Sequence, residues 1–397
     1  MKSLTIERTA KILIFVLLFA MAARIPLETD VWWHIRSGEY TLNNGMMYSD
    51  PFSSTMQGQP WINHSWGSQV ILYLIYNVLG DFGLAMFTAV LATAGMFIIY
   101  RACYGNVYLR AFALVLGAAT AAVFWSPRPQ MFSFVFSAVV FLLIHLFKRK
   151  NKDLLWALPP LFAIWGNLHA GFSIGFIFLV VTIVGEILGN IFNPGGNDVV
   201  PWRGVRKLVI VTLVSAVALV INPYGLNMLL VPFQTLGIGA LRDFIQEWMS
   251  PNFHDVSTWP FVVLLLGLLG AAGASKMRLD WTEFLLCAVT AFMGLLAGRN
   301  IAVFAIVATP VLTYHLDSIM EERGWAFQPL QRASPRIGMI NAILLALVCL
   351  GALIKIISVV DSNAVNSAKN EYLPVQAVDH LRDNPPGVLF NSYNWGG

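Results

Sequence analysis

The segment ETDVWWHIRSGEYTLNNG, residues 28–45, carries several groups that could do acid–base or phosphate chemistry. Asp30, His34 and Ser37 are spaced at i, i+4 and i+7, so on a helix they share one face. An aspartate in this position could take a proton from a nucleophile or bind a divalent metal. Arginine, and histidine when it is protonated, could hold phosphate oxygens. The segment therefore predicts a polar reaction or binding site.

A structural interpretation of the same segment competes with the functional one. Asp30 would cap the helix, and Trp32 and Trp33 would join the aromatic belt of a membrane interface. Arg36 lies on another face of the helix from Asp30, over the two tryptophans, where it could stack on an indole ring or reach lipid headgroups. Both interpretations place this segment at a boundary between apolar and polar surroundings.

The rest of the same loop favours the functional interpretation. It adds Asp50 in YSDPFS and His64 in QPWINHSW. An aromatic belt requires neither of these residues. We therefore expect His34, Asp50 and His64 to bind a substrate or a metal ion close to Asp30.

Three short turns between apolar runs each carry one further ionisable residue. Arg128 lies in SPRPQ (126–130), His169 in NLHAG (167–171) and Arg299 in GRN (298–300). Ionisable groups near membrane depth are costly and usually face a cavity or a pathway. The alternatives are that the arginines reach lipid headgroups and that His169 is a hydrogen-bonded core residue. We expect Arg128 and Arg299 to bind phosphate, and His169 to be either a ligand or a core residue.

The elements that position these residues are apolar helices. Of the 397 residues, 57% are hydrophobic and 12% charged, whereas a soluble protein has roughly 25% charged residues. The composition predicts an all-α polytopic membrane protein, and apolar windows predict about eleven spans. These candidate spans lie at about 9–24, 84–100, 110–125, 130–147, 154–168, 172–192, 208–221, 260–274, 282–298, 300–315 and 338–358. An amphipathic stretch at 66–80 predicts a surface or re-entrant helix before the second span.

The distribution of lysine and arginine predicts the orientation of the bundle. With a cytoplasmic N-terminus, every inside segment is basic, as the positive-inside rule requires. The basic residues thus have a topological role, and the net charge of +4 does not indicate nucleic acid as a partner. The site residues then all fall on the extracytoplasmic side.

The predicted topology divides the chain into two regions. Residues 1–360 form the transmembrane domain, with a large first outer loop at 25–83 and a second at 222–259. The stretch LRDFIQEW (241–248) of the second loop reads as an amphipathic helix that could cover a lipid-binding groove. Residues 361–397 resemble the start of an extracytoplasmic domain that is incomplete here, with a helix at 374–383 and a strand at VLF.

The sequence lacks the motifs of several common enzyme classes. It contains no P-loop, no GxGxxG after a strand and no HExxH. Its three cysteines fall in or beside predicted spans and indicate small core residues. The histidines and aspartates are too widely spaced for a transition-metal signature, so a divalent ion such as Mg or Mn is left as one possible cofactor.

The first outer loop resembles that of the GT-C superfamily of membrane glycosyltransferases. This superfamily includes oligosaccharyltransferases, protein O-mannosyltransferases and aminoarabinose transferases. The order of Asp30, the two tryptophans, Arg36, Tyr40 and Gly45 is similar to their run of an acid, aromatics, an arginine and a glycine. The D-x-W-W-H pattern and the stretch at 50–69 also resemble bacterial members. The C-terminal stretch lacks the Trp-Trp-Asp order that oligosaccharyltransferases use to recognise an acceptor peptide.

The resemblance implies transfer of a sugar from a polyprenyl-phosphate-linked donor to a glycan, lipid or protein acceptor. It places the enzyme in the bacterial plasma membrane, with its active site on the extracytoplasmic face. Asp30 would be the catalytic base, and Arg128, Arg299 and, as a weaker third, Arg36 would hold the donor phosphate. The apolar helices would contact membrane lipids and the isoprenoid chain of the donor.

Two other classes of function are left open by the residues alone. A lipid or polysaccharide transporter or flippase predicts inverted repeats and polar residues near the membrane midplane. No repeat is visible in the sequence, and the polar groups crowd one edge of the predicted bundle. A non-catalytic membrane assembly subunit would have the same topology without a working Asp30.

Overall fold

The computed structural model describes residues 4–325 and 334–384, together with Gly387, Leu389, Asn391 and Trp395. The structure is 76% helical, and no strand forms in the part of the chain described. The predicted all-α class is therefore confirmed.

Sixteen α-helices are formed by the described residues. They are α1 (Ile6–Ala22), α2 (Asp30–Asn44), α3 (Trp66–Ala102), α4 (Val107–Ala121), α5 (Gln130–Lys150), α6 (Leu158–Leu168), α7 (Phe172–Phe192), α8 (Trp202–Ala218), α9 (Asn227–Leu236), α10 (Gly239–Phe244), α11 (Trp259–Ala274), α12 (Trp281–Leu296), α13 (Ile301–Glu322), α14 (Pro335–Val360), α15 (Ser362–Tyr372) and α16 (Val375–Asp383). Short 3₁₀ turns at Gln246–Trp248 and Gly298–Asn300 connect some of them.

Every one of the eleven predicted apolar segments overlaps a helix. Seven helical segments among the described residues are long and apolar enough to cross a membrane, and two shorter ones are apolar as well. The seven are Trp66–Ala102, Val107–Phe124, Gln130–Lys150, Phe172–Phe192, Val256–Ala274, Gly298–Glu322 and Pro335–Val360. A multi-pass membrane protein is thus confirmed, whereas the number of eleven crossings stays a prediction.

The predicted stretch at 66–80 is helical and forms the first part of α3, up to a kink at Gly80. Gly80 interrupts the helix with a φ of 56°, a left-handed conformation that glycine adopts without a steric cost. The first outer loop therefore enters the bundle through a kinked helix. Its direction differs before and after Gly80.

Helix α2 lies directly against the start of α3 because one glycine permits a close approach. A Cβ atom at Gly38 would lie 2.2 Å from the carbonyl oxygen of Gln69. Ser37 beside it is fully buried. The contact fixes the helix that carries Asp30 and His34 against the bundle.

One end of the bundle is tied together by ion pairs. Lys148, near the end of α5, pairs with Glu186 of α7 and lies 3.2 Å from Asp280, the N-cap of α12. Its neighbour Arg149 lies 2.6 Å from both Asp280 and Glu283. We call this end the basic end, since α5 ends there in a run of cations. Each charge has an opposite partner, which makes the cluster a structural tie between α5, α7 and α12.

The segment after α14 is partly described. Helix α16 covers the helix predicted at 374–383, and α15 precedes it. Lys369 of α15 lies 2.8 Å from a carboxylate oxygen of Asp81 and 4.8 Å from the centre of the Trp32 ring. The strand predicted at VLF lies outside the continuously described residues. An outer domain beginning at 361 therefore stays a prediction.

Candidate functional site

Arg128 is the centre of a charged cluster at the end of the bundle opposite the basic end. It lies in the turn between α4 and α5, and its side chain is only 11% exposed. One terminal nitrogen donates to Asp30 Oδ2 at 2.6 Å, and the other donates to Glu247 Oε2 at 2.6 Å. The second nitrogen also donates to Gln130 Oε1 at 2.9 Å, and Glu28 Oε1 lies 3.9 Å from the first. Residues that are far apart in the sequence thus meet at one guanidinium.

The charged groups of this cluster shift one another's pKa values. Burial alone would lower the pKa of Arg128, but Glu247, Glu28 and Asp30 raise it above its ordinary value. Burial would raise the pKa of Glu247, but the positive charges of Arg128 and Arg299 lower it. Burial and the neighbouring carboxylates of Asp30 and Glu247 raise the pKa of Glu28, against the effect of Arg128. At neutral pH, Arg128 and Glu247 are therefore both charged.

Arg299 joins the cluster through Glu247. It lies in the Gly298–Asn300 turn between α12 and α13, 3.5 Å from Glu247 Oε1. Its guanidinium lies over the Trp248 ring, 4.3 Å from the ring centre. The segment is fixed further by a hydrogen bond from the Gly298 N–H to the Met249 carbonyl at 3.0 Å. One carboxylate therefore bridges two arginines from different turns.

Asp30 begins α2 but does not cap it. The N-cap residue is Thr29, without a side-chain capping bond, and the Asp30 carboxylate turns to Arg128 instead. The Asp30 side chain is 46% exposed. It is thus held at a defined place by one hydrogen bond while about half of it is still open to its surroundings.

The three predicted histidines lie together beside this cluster, each with its Nδ1 atom engaged by the protein. His34 Nδ1 is 3.2 Å from Gln69 Nε2, whose oxygen accepts from Asn63 Nδ2 at 2.6 Å. The His64 and His169 rings meet edge to face with centres 5.8 Å apart.

A hydrogen-bond relay fixes the tautomer of His169. Trp165 Nε1 donates to Ser133 Oγ at 2.8 Å, and that hydroxyl lies 2.7 Å from His169 Nδ1. The Gly171 N–H also donates to this nitrogen, at 3.1 Å. Because Nδ1 accepts, the proton of the neutral imidazole lies on Nε2. His169 is therefore hydrogen-bonded within the protein and retains one ring N–H donor.

All three imidazoles are neutral at pH 7. Burial lowers the pKa of His64 to about 4, assisted by the positive charge of Arg299. Burial, Arg128 and His64 lower the pKa of His34. Burial, His64 and Arg299 likewise lower that of His169. Neutral rings cannot add positive charge for a phosphate, so their chemistry is hydrogen bonding to neutral groups such as hydroxyls.

The other two predicted site residues make their contacts within their own segments. Arg36 is 64% exposed and lies 2.5 Å from Glu39 on the same helix. Asp50 accepts hydrogen bonds from the backbone N–H groups of Phe52 at 2.8 Å and Ser53 at 3.1 Å. Burial would raise the pKa of Asp50, but these hydrogen bonds outweigh that effect and lower it. The structure therefore brings together Asp30, Arg128, Arg299 and the histidines, and leaves Arg36 and Asp50 beside them.

The donor set does not fit a divalent metal ion. Asp30, Glu28 and Glu247 all face the Arg128 guanidinium, which occupies the place a shared cation would need. Among the residues described, no three His, Cys, Asp or Glu side chains form a group that could hold a metal. These residues therefore do not form a site for Mg or Mn in the part of the chain described.

Sequence patterns did not point to three members of the cluster. Glu28 and Gln130 lie within the segments 28–45 and 126–130, but neither is predicted as a site residue there, and Glu247 has no motif around it. The only available signal for Glu247 was its position in the amphipathic stretch at 241–248. In the structure this stretch is α10 followed by the Gln246–Trp248 turn.

Comparisons with known proteins find similar structures but no matching sequence family. No protein-family model matches the sequence, and no curated protein does. The structure is similar to the archaeal oligosaccharyltransferase AglB from Archaeoglobus fulgidus in complex with an inhibitory peptide and a dolichol-phosphate. The TM-score is 0.57 and the identity 12%, over 90% of this chain and 56% of that one.

The chain has a GT-C fold. The predicted resemblance to GT-C glycosyltransferases is confirmed at the level of the fold. A second match is the Archaeoglobus fulgidus oligosaccharyltransferase in the apo form, with a TM-score of 0.48 and 14% identity, over 87% of this chain and 55% of that one. The chain thus spans just over half the length of the oligosaccharyltransferases that it matches.

Proposed function

We propose that this chain is an inverting glycosyltransferase that uses a sugar linked to a polyprenyl phosphate. The acceptor is a glycan, a lipid or a protein on the extracytoplasmic face of a bacterial plasma membrane. The likeness to a GT-C oligosaccharyltransferase supports this class of reaction. The basic end supports a cytoplasmic N-terminus, since cytoplasmic segments carry the excess of lysine and arginine.

The observation that carries the proposal is the pair of arginines joined by Glu247. The two oxygens of a carboxylate and two oxygens of a phosphate accept the same kind of charge-assisted hydrogen bonds from guanidinium groups. Glu247 therefore occupies the place where the donor phosphate would bind between Arg128 and Arg299. As the glycosidic bond breaks, negative charge grows on the leaving phosphate, and two fixed cations stabilise it in a poorly solvated site.

In this proposal Asp30 is the general base. Its carboxylate takes the proton of the acceptor hydroxyl or amide as the acceptor atom forms its bond to the anomeric carbon. The bond from that carbon to the phosphate oxygen breaks, and its electron pair leaves with the polyprenyl phosphate. Arg128 holds the Asp30 carboxylate in a fixed orientation while the leaving group departs on the other face of the sugar.

The histidines would recognise the sugar rather than the phosphate. Because burial keeps His34, His64 and His169 neutral, each can exchange hydrogen bonds with sugar hydroxyls. The apolar helices around them supply a surface for the isoprenoid chain. The site thus separates into a charged part for the leaving group and a neutral part for the sugar.

A transfer assay tests this function on the full chain in lipid nanodiscs. The donors are short-chain polyprenyl phosphate and diphosphate sugars with a tritium-labelled sugar, each offered with lipid, glycan and peptide acceptors. We expect the wild-type chain to transfer label and Asp30→Asn to be slower by about 10²–10⁴-fold, because the amide cannot take a proton. Glu39→Gln, on the exposed face of the same helix, is the matched control.

Two results would contradict the proposal. Asp30→Asn with wild-type transfer would remove Asp30 from the chemistry. Movement of intact donor across the bilayer in proteoliposomes, without transfer to any acceptor, would instead indicate a transporter.

A further inference from the structure

A second cluster of cations lies at the basic end of the bundle. Arg8 and Lys11 belong to the first turns of α1, and Arg110 belongs to the first turn of α4. Helix α4 has 15 residues and is about 22 Å long, and the Arg128 turn follows its far end. This second cluster is therefore separate from the candidate active site.

The three cations line one cavity of about 650 Å³, together with Tyr100 and Glu7. The Tyr100 ring lies between two of them, 5.7 Å from Lys11 Nζ and 5.6 Å from the Arg110 guanidinium. Glu7 is the only carboxylate among the residues that line the cavity, against three cations, so the lining has a net positive charge. An anion with several oxygen atoms matches this lining.

The three cations make no close ion pairs in the part of the chain that the structure describes, and Asp317 is the one further carboxylate that interacts electrostatically with Arg110 there. Within the residues described, none of Arg8, Lys11 and Arg110 forms an ion pair with a carboxylate, and Arg110 Nε is buried without a hydrogen-bond partner. A buried N–H that lacks an acceptor costs free energy, which a bound anion would recover. By contrast, Lys148 and Arg149 at the same end of the bundle are fully paired.

An apolar wall continues from the cations into the membrane. Phe15 lies one helical turn after Lys11, and its ring packs edge to face against Tyr100 and Phe97, with centres 5.5 Å apart in both pairs. Phe97 is 45% exposed on the surface of the bundle. A soluble phosphate would make no contact with this apolar surface, whereas the acyl chain of a lipid would cover it.

We propose that this cavity binds the phosphate headgroup of an anionic phospholipid in the leaflet at the basic end. The phosphate oxygens accept hydrogen bonds from Arg110 and Lys11, and Arg8 adds a third positive charge at the rim. The acyl chains pack along Phe15 and Phe97. The lipid thereby bridges α1, α3 and α4, and this site does not depend on the proposed transfer reaction.

The test measures lipid binding by the full chain in a neutral detergent. Microscale thermophoresis with dioctanoyl phosphatidylglycerol is compared with dioctanoyl phosphatidylcholine and with sodium phosphate. We expect binding of phosphatidylglycerol only. Each of Lys11→Gln and Arg110→Gln should weaken it about fivefold, as expected for the loss of one cation near a membrane surface. Arg101→Gln is the matched control, since Arg101 is exposed at the end of α3 and does not line the cavity.

Thermal unfolding without added lipid shows whether each variant is folded. If Arg110→Gln does not fold, Arg8→Gln replaces it, because Arg8 is exposed and its loss removes charge without packing. The proposal is overturned if phosphatidylcholine or sodium phosphate binds as tightly as phosphatidylglycerol. It is also overturned if the cavity variants bind phosphatidylglycerol as tightly as Arg101→Gln does.

Discussion

Glu247 is shared by Arg128 and Arg299: its two carboxylate oxygens lie 2.6 Å and 3.5 Å from the two guanidinium groups. Without an anion between them, the two arginines would repel each other in a site with limited solvent screening. A negative group between them offsets this repulsion. If the donor phosphate supplies it during the reaction, Glu247 must leave when the donor binds.

The variant Glu247→Gln tests this exchange. A neutral amide binds the arginines less strongly than a carboxylate, by about 1 kcal/mol, so it competes less with the phosphate. We expect the Kd of farnesyl phosphate for the full chain to fall about fivefold, as measured by isothermal titration calorimetry. Asp243→Asn, a charge change on α10, is the control. Weaker binding by Glu247→Gln would show that Glu247 supports the donor site rather than competing for it.

The variant Arg128→Lys tests whether the charge of Arg128 or its shape matters. A lysine has the same charge but one compact ammonium group, which cannot serve Asp30 and Glu247 on two separate nitrogens. We expect the free energy of unfolding to fall by about 1–3 kcal/mol, because a partly buried carboxylate loses its partner, and sugar transfer to fall by about tenfold or more. Circular dichroism on heating in detergent, together with the transfer assay, measures both effects.

Arg36→Lys is the matched substitution for Arg128→Lys. The Arg36 side chain is 64% exposed and contacts only its own helix neighbour Glu39 through an ion pair. Exposed ion pairs contribute about 0.2–1 kcal/mol to stability. The substitution should therefore change the free energy of unfolding only slightly and leave the rate of sugar transfer unchanged. Equal effects of the two substitutions would exclude a special role for Arg128.

The sequence predicted the fold class better than it predicted the contacts. Hydrophobic runs of about 20 residues report the membrane directly, because a helix must satisfy its own backbone in lipid. The spacing of Asp30 and His34 also predicted a shared helix correctly, and α2 contains both. These properties depend on local periodicity, which needs no knowledge of the partner elements.

The cluster around Arg128 depends on tertiary packing and could be predicted only in part. Asp30 and Glu247 lie 98 and 119 residues from Arg128, and no local pattern indicates that they meet. Membrane topology places all three on one side but gives no distances.

The pKa of His64, about 4, predicts a defined dependence of stability on pH. In the unfolded chain a histidine titrates near pH 6.5, so below that pH the unfolded state binds a proton that the folded state does not. The stability contributed by neutral His64 is therefore complete above about pH 6.5 and is lost as the pH falls towards 4. We expect a loss of about 1–3 kcal/mol in the free energy of unfolding across this window.

Unfolding of wild type and His64→Gln in detergent at pH 7.5, 6.5, 5.5 and 4.5 measures this effect. The wild-type curve should fall more steeply than that of the variant. Glu28 titrates in both proteins, so its raised pKa does not enter the difference between the curves. Parallel curves would contradict a buried neutral His64.

The contact of Gly38 with Gln69 predicts a strong effect of a single methyl group. The Cβ of Gly38→Ala would lie 2.2 Å from a backbone oxygen that cannot move without shifting α3. We expect a loss of about 2–3 kcal/mol of stability and slower sugar transfer, because α2 carries Asp30. Gly351→Ala in α14 is the control: its Cβ meets no atom within 4 Å, and alanine favours a helix by about 0.5–1 kcal/mol. Gly38→Ala with the stability of Gly351→Ala would show that α2 does not press against α3.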